Sequence, residues 1–339
     1  MNTDSAGAAD DPANESALDS LRVVFRAMGT EVSLAVWPRR GQEASAEAAL
    51  WAEVALLREA DALLSRFLPE SEISRLNRGA VTPVRVSALT FSAIEIALDA
   101  AAASGGLFDP TVYGALLAAG YDRSFADLEQ KPSRSMPAAA LPRQAGRWRE
   151  VLLDEARGTV TLPNGVGLDL GGIAKGWLAD RVAERLGVFG PALVDIGGDI
   201  AMLGLPPDAP AWAIDVDGPF GAVLGTLQLE GGRGVATSGI TRRRWQTEAG
   251  SRHHLIDPRT GAPALTDLLS VTVVAPTTAA AEVAAKGALL LGSVLGLAAL
   301  VQAAELGGLL VRRDGRVLVA GSLSWIPAGA AQQPAEVNA

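Results

Sequence analysis

Between Lys286 and Glu305 the chain runs for 18 residues, Gly287 to Ala304, without a single charge. A segment this apolar must leave water, either into lipid or beneath other protein. Its length lies at the lower edge of a membrane span. Gly287, Gly292, Ser293, Gly296 and Gln302 interrupt it, and two packed helices broken at Gly292–Ser293 satisfy it better. No membrane span is therefore expected, and the fold must supply a core deep enough to cover the pair. A chain of 339 residues, 49% hydrophobic and 20% charged, can do so as one large domain or two modest ones.

A net charge of -9 disfavours a nucleic-acid partner, because few clustered cations exist to displace counterions. The absence of cysteine excludes disulfides, iron–sulfur clusters, thiolate zinc sites and a lipid-modified cysteine anchor. Residues 1–20 are small, polar and acidic, without a basic start or apolar stretch, and read as a disordered leader rather than a secretory signal. Residues 326–339 read as a disordered tail, leaving 21–325 as the folded part. A cytoplasmic protein is the expectation that follows.

Hydrophobic spacing predicts strands at Leu21–Arg26 and Thr30–Trp37 joined by Met28–Gly29, then helices over Gln42–Phe67, Ser71–Asn77 and Ser87–Ser104. The polar, proline-containing stretch Tyr121–Arg147 reads as a surface loop. Beyond it, strands are expected at Glu150–Leu153, Thr159–Leu162, Ala192–Ile196, Trp212–Val216, Leu224–Leu229, His254–Ile256 and Ser270–Ala275. Asp169–Leu186 reads as strand, Gly–Gly turn and helix, Ala279–Glu305 as the helix pair, and Gly308–Val319 as a hairpin through Asp314–Gly315. Strands and helices mix without regular alternation, so the fold class is α+β.

Five segments have the residues for chemistry. In Leu168-Asp-Leu-Gly-Gly-Ile-Ala-Lys-Gly-Trp-Leu-Ala-Asp180 the glycines admit close approach of a ligand. The helix start that follows offers N–H groups and Lys175 to a phosphate. The same turn also serves plain close packing. Val194-Asp-Ile-Gly-Gly-Asp-Ile200 places Asp195 and Asp199 where they either hold a ribose or flank an ordinary turn. Val235-Ala-Thr-Ser-Gly-Ile-Thr-Arg-Arg-Arg-Trp245 either grips an anion or forms a solvated hairpin face. His253 and His254 are the protein's two histidines; on a strand they face opposite ways, and His254 with Asp257 has the makings of a general base and its partner. The turn Asp257-Pro-Arg-Thr-Gly261 has an equally good structural reading. Asp109 in Phe108-Asp-Pro-Thr-Val112 either aims a carboxylate at a ligand or makes an Asp-Pro turn.

Taken in order, these pieces resemble the FAD:protein FMN transferase (ApbE) family. The matching blocks are Ala27-Met-Gly-Thr30, Leu64-Ser-Arg-Phe-Leu-Pro-Glu-Ser-Glu-Ile-Ser-Arg-Leu-Asn77, Phe108-Asp-Pro-Thr-Val112 and Asp169-Leu-Gly-Gly-Ile-Ala-Lys-Gly176. Val194-Asp-Ile-Gly-Gly-Asp199, Ala236-Thr-Ser-Gly239 and His254-Leu-Ile-Asp-Pro-Arg-Thr-Gly261 complete the set. The resemblance implies mixed and antiparallel sheets with packed helices, FAD between two lobes, and Mg²⁺ at its pyrophosphate. It implies cleavage of FAD, attachment of FMN by a phosphoester to a Thr or Ser of a partner flavoprotein, and release of AMP. It places Met28, Phe67, Leu107, Phe108, Asp109, Gly171, Lys175, Trp177, Asp180 and Leu255 on the cofactor. His254 becomes the base with Asp257 nearby, and Ala174 (through its carbonyl), Glu282 and Ala285 surround the metal.

One departure bears on that metal. Relatives usually read Ala-Asp-x-x-Ala-Thr in the helix after the Val-Thr-Val strand, and the Asp and Thr ligate. This chain reads Ala281-Glu-Val-Ala-Ala-Lys286. Glu282 still offers oxygen, but a lysine ammonium has only donors. Either the ammonium substitutes for part of the metal's charge, or the protein binds FAD without transferring FMN, or the pair is an ordinary i, i+4 ion pair. A pyrophosphatase that hands FMN to water is a further alternative.

Overall fold

The computed structural model describes residues 20–79, 81–130, 145–248 and 250–329. Residues 1–19 of the expected leader, 131–144 of the expected surface loop and 330–339 of the expected tail lie outside them.

An eight-stranded, wholly antiparallel sheet forms the centre. Its spatial order is Leu21–Ala27, Thr30–Val36, Ala192–Ile196, Asp199–Leu203, Arg233–Gly239, Leu268–Ala275, Gly307–Arg312 and Val317–Ala320. The helices are α1 (Glu43–Leu64), α2 (Glu72–Arg78), α3 (Ala88–Ala103), α4 (Tyr113–Ala118), α5 (Phe125–Gln130), α6 (Ala174–Gly187) and α7 (Thr278–Gln302).

Alternation along the central strands creates two cores. Ala236 and Val273 face the helical side, with Ala281, Ala285, Ala288 and Leu289 of α7. Their neighbours Val235 and Val274 face the other side, where a three-stranded sheet supplies Trp212, Ile214, Leu227 and Leu229. In α1, Ala46, Leu50, Val54, Leu57, Ala60 and Leu64 recur every three or four residues and form its buried face. Mixed helices and antiparallel sheets make the α+β class expected from the sequence.

The apolar run becomes the second half of α7, a helix long and apolar enough to cross a membrane by length and composition. Its burial against the central sheet gives that apolarity another use. The helix breaks at Gly292 as expected, with φ 79° and ψ 178°. Asp267 restarts it, accepting the Ser293 N–H at 2.8 Å and the Ser293 hydroxyl at 2.5 Å. These bonds and Arg312 hold the Asp267 carboxyl below its usual pKa.

Three expectations need correcting. Residues before Gly171 are not a strand: Asn77 supplies the backbone's partners, accepting from Leu168 N at 2.7 Å and donating to its carbonyl at 2.9 Å. Asp169 N donates to Pro110 O at 2.8 Å. A side chain thus fills the role of a neighbouring strand. The histidine segment is not one strand either. Gly250–His253 pairs with Arg244–Thr247, and Ile256–Asp257 pairs with Ala262–Pro263, so His254 lies in the bend between two small ladders. Part of the expected surface loop is α5, whose Leu128 is buried beside Trp245.

Gly292→Ala should cost about 1–3 kcal/mol, because an L-residue is strained at that φ and its Cβ would meet Asp267 Oδ1 at 3.2 Å. Asp267→Ala should cost about 1 kcal/mol through the lost cap. Because the folded pKa of Asp267 is depressed, its contribution is complete above the unfolded pKa and disappears as pH falls through the folded one. Urea unfolding of both variants across acid and neutral pH tests this.

Candidate functional site

A cleft of about 380 Å³ opens where the Gly171–Gly172 turn, Lys175 of α6, Glu282 and Lys286 of α7, and the segments 237–243 and 254–258 converge. That volume is typical of small-molecule sites, roughly 300–1,000 Å³. One end is aromatic. The rings of Phe67 and Tyr121 lie 5.6 Å apart, and Tyr121 is 5.1 Å from Trp245. The Arg66 guanidinium stacks on both Phe67 and Tyr121, at 4.1 and 4.4 Å. Arg66 is anchored by Asp169 at 2.5 Å, and Asp169 also accepts the Gly171 N–H at 2.9 Å, fixing the turn.

The other end is cationic. Lys175 is ion-paired with Asp199, which is 3% exposed. Lys286 donates to the Gly172 carbonyl at 3.3 Å and sits 5.0 Å over the Phe108 ring. Burial pushes both lysines below the usual ammonium pKa, with nearby Glu282 opposing the fall. In the arginine triplet Arg242 and Arg243 both line the cleft, Arg242 paired with Asp217 at 2.6 Å, while Arg244 bonds Ser251. Among the described residues Arg243 has no carboxylate partner within 4.0 Å. Among the described cations that line the cleft, Arg66, Lys175 and Arg242 are thus in ion pairs, and Lys286 and Arg243 are the two without one.

His254 lines the cleft, and burial holds it well below the usual imidazole pKa, helped by Arg243 and Lys286. It is neutral near pH 7 and can accept a proton. The adjacent His253 instead engages the Ala264 carbonyl through Nε2 at 3.1 Å. Asp257 is not placed as the partner of His254. Both its oxygens are taken by Arg259, at 2.9 and 2.8 Å, and Arg259 also donates to Leu290 O at 3.0 Å. The turn's own arginine is the nearer and stronger partner for this carboxylate.

Phe67, Leu107, Phe108, Asp109, Gly171, Lys175, Leu255 and Glu282 line the cleft. Asp109 is committed to its own loop: it accepts the Thr111 N–H and hydroxyl at 2.7 and 2.6 Å and the Gly146 N–H. The remaining expected residues lie outside the lining. Met28, with φ 55°, shapes the turn before Thr30, and Thr30 lines the cleft in its place. Trp177 packs on the core beneath Arg181. Asp180 caps α7, accepting from Thr278 N and Ala279 N at 2.7 and 2.9 Å, and burial raises its pKa. Ala174 and Ala285 are buried in the cores. The start of α6 is also less open than a free helix end: Ala174 N is bonded to Leu170 O and Gly176 N to Glu282 Oε2 at 3.1 Å.

Arg66, Tyr121, Asp169 and Arg243 belong to this site without having been singled out. Arg66 and Asp169 stand inside recognised blocks, but their meeting depends on tertiary packing. Tyr121 had no motif around it, and Arg243 stood undistinguished within the triplet.

The model of the ApbE family matches residues 28–310. The chain belongs to the ApbE family. A relative named FAD:protein FMN transferase in Treponema pallidum is 33% identical over 310 residues, covering 86% of this chain and 84% of its own length. The protein of the same name in Haemophilus influenzae is 30% identical over 256 residues, covering 70% and 71%. The crystal structure of the ApbE protein of Thermotoga maritima superposes with a TM-score of 0.77 at 26% identity, over 89% of this chain and 97% of that one. Flavin transferase ApbE of Vibrio cholerae, 24% identical, shares the fold with a TM-score of 0.73.

Within this ApbE fold Gly176 is where α6 and α7 touch. A Cβ there would lie 2.9 Å from the Thr278 carbonyl and 3.0 Å from both Ala279 N and Glu282 Oε2. Gly176→Ala gains about 1 kcal/mol of helix propensity. It loses about 1–3 kcal/mol to overpacking against backbone. The clash wins, and a lower urea midpoint with unchanged slope is the expected result.

Proposed function

We propose that this protein is an FAD:protein FMN transferase acting on a separate flavoprotein. The observation that carries the proposal is one cleft lined by the tilted rings of Phe67 and Tyr121, by Lys175, Arg243 and Lys286, and by His254, whose imidazole burial favours neutral. Aromatic faces suit a flavin or adenine ring, and clustered cations suit a pyrophosphate.

The reaction breaks the bond between the FMN phosphorus and the oxygen bridging to AMP. The oxygen of a Thr or Ser hydroxyl on the partner bonds to that phosphorus, and AMP leaves with the electron pair. Removal of the hydroxyl proton by His254 makes the oxygen nucleophilic. The cationic end stabilises charge growing on the leaving phosphate.

A resident divalent cation fits these residues poorly. Glu282 Oε2 already accepts the Gly176 N–H, and Lys286 Nζ points to the Gly172 carbonyl where another ligand oxygen would be required. Among the described residues no group of three His, Asp or Glu side chains could hold a metal. No step of the reaction is routed through one.

Mass spectrometry of a threonine-bearing acceptor domain incubated with the protein and FAD tests the proposal. A gain equal to FMN, with equimolar AMP, is expected; unchanged FAD on the protein, or FMN and AMP formed without acceptor, would contradict it. His254→Ala should slow transfer about 10²–10⁴-fold. Because burial holds the His254 pKa well below the usual imidazole value, wild-type kcat/KM should stay flat as pH falls through about 6.5 and decline only in more acid solution. A steady-state pH profile reads this directly.

A further inference from the structure

We propose that the Lys286 ammonium takes the place of a divalent cation in this cleft, so that its phosphoryl chemistry proceeds without metal. The inference rests on the function proposed above, and its geometry stands separately. Glu282 and Lys286 are one helical turn apart on α7, and both enter the cleft. A Cβ at Gly172 would lie 1.5 Å from Lys286 Nζ and 3.0 Å from Cε. The lysine's end thus occupies the space that a side chain at residue 172 would take, which the glycine leaves open.

The ammonium is also held rather than neutralised. It has one hydrogen bond, to the Gly172 carbonyl, and one cation–π contact, with Phe108. Among the described residues no carboxylate lies within 4.0 Å of it, whereas Lys175 is paired directly with Asp199. An ammonium has three donors. With one spent on Gly172, two remain for phosphate oxygens. Glu282, fixed by the Gly176 N–H, supplies countercharge from the same helix without capping those donors. A dication in this space would meet a fixed positive charge where it needs an oxygen.

The test uses the full chain with FAD, Mn²⁺ as the spectroscopic probe, and the acceptor domain. Expected for wild type are equal FAD affinities in Mg²⁺ and in chelator, no protein-bound Mn²⁺ signal by electron paramagnetic resonance, and equal transfer rates in both buffers. Lys286→Met, close in shape and without charge, should lose FAD affinity and slow transfer about 10²–10³-fold. Lys286→Thr, which restores an oxygen, should bind Mn²⁺ in the presence of FAD and transfer only with metal. Mn²⁺ bound by the wild-type complex, or FAD affinity lost in chelator, would overturn the inference. Absence of transfer in every buffer would instead sink the proposed function, while affinity and Mn²⁺ binding still decide the role of Lys286.

Discussion

The cleft depends on how closely two helices approach. At Gly176 the backbone of α6 comes against the first turn of α7 with no side chain between them. Polar bonds then lock the pair: Asp180 of α6 caps Thr278 and Ala279 of α7, and Glu282 of α7 accepts the Gly176 N–H. Each helix thus satisfies orphan donors at the start of the other, which a buried helix end must do somehow. The direction this gives α7 carries Glu282 and Lys286 into the cleft. It also fixes where the apolar second half of the helix lies on the sheet. The break at Gly292 lets that half turn away and remain packed.

The parts of this arrangement visible in sequence are those set by local rules. Period-2 runs gave the strand Ala192–Ile196 its boundaries, and serines at 71 and 87 marked helix starts that the structure caps with those side chains. The helix break followed from Gly292–Ser293. What stayed hidden was set by partners distant in the chain. Nothing near Leu168 announces that Asn77 will replace a strand, and nothing near Asp180 announces that it will cap a helix 98 residues later. Asp257 was legible as a turn residue and equally as a catalytic partner, and only the Arg259 contacts separate the two readings. The strands Asp199–Leu203 and Arg233–Gly239 were hidden behind their own motifs, since glycine and hydroxyl residues there suit a ligand better than they mark a strand.

The charge arrangement follows from the same packing. Lys175 and Lys286 are drawn out of water by the helices that carry them, and their depressed pKa values record the cost of keeping an ammonium there. Asp199 offsets the cost for Lys175, whereas Lys286 and Arg243 line the cleft without a direct ion pair among the described residues. A ligand carrying two negative charges at that spot would give both a partner. Part of its binding energy is therefore set up in advance by the fold rather than found in new contacts. The same two cations act on His254, adding to burial in reducing its proton affinity. A pyrophosphate placed between them would return some of that affinity, so the imidazole becomes a stronger base only once its substrate is in place. Binding and proton transfer are thereby coupled through one set of charges, and the coupling requires Lys286 to remain an ammonium rather than give way to an oxygen ligand.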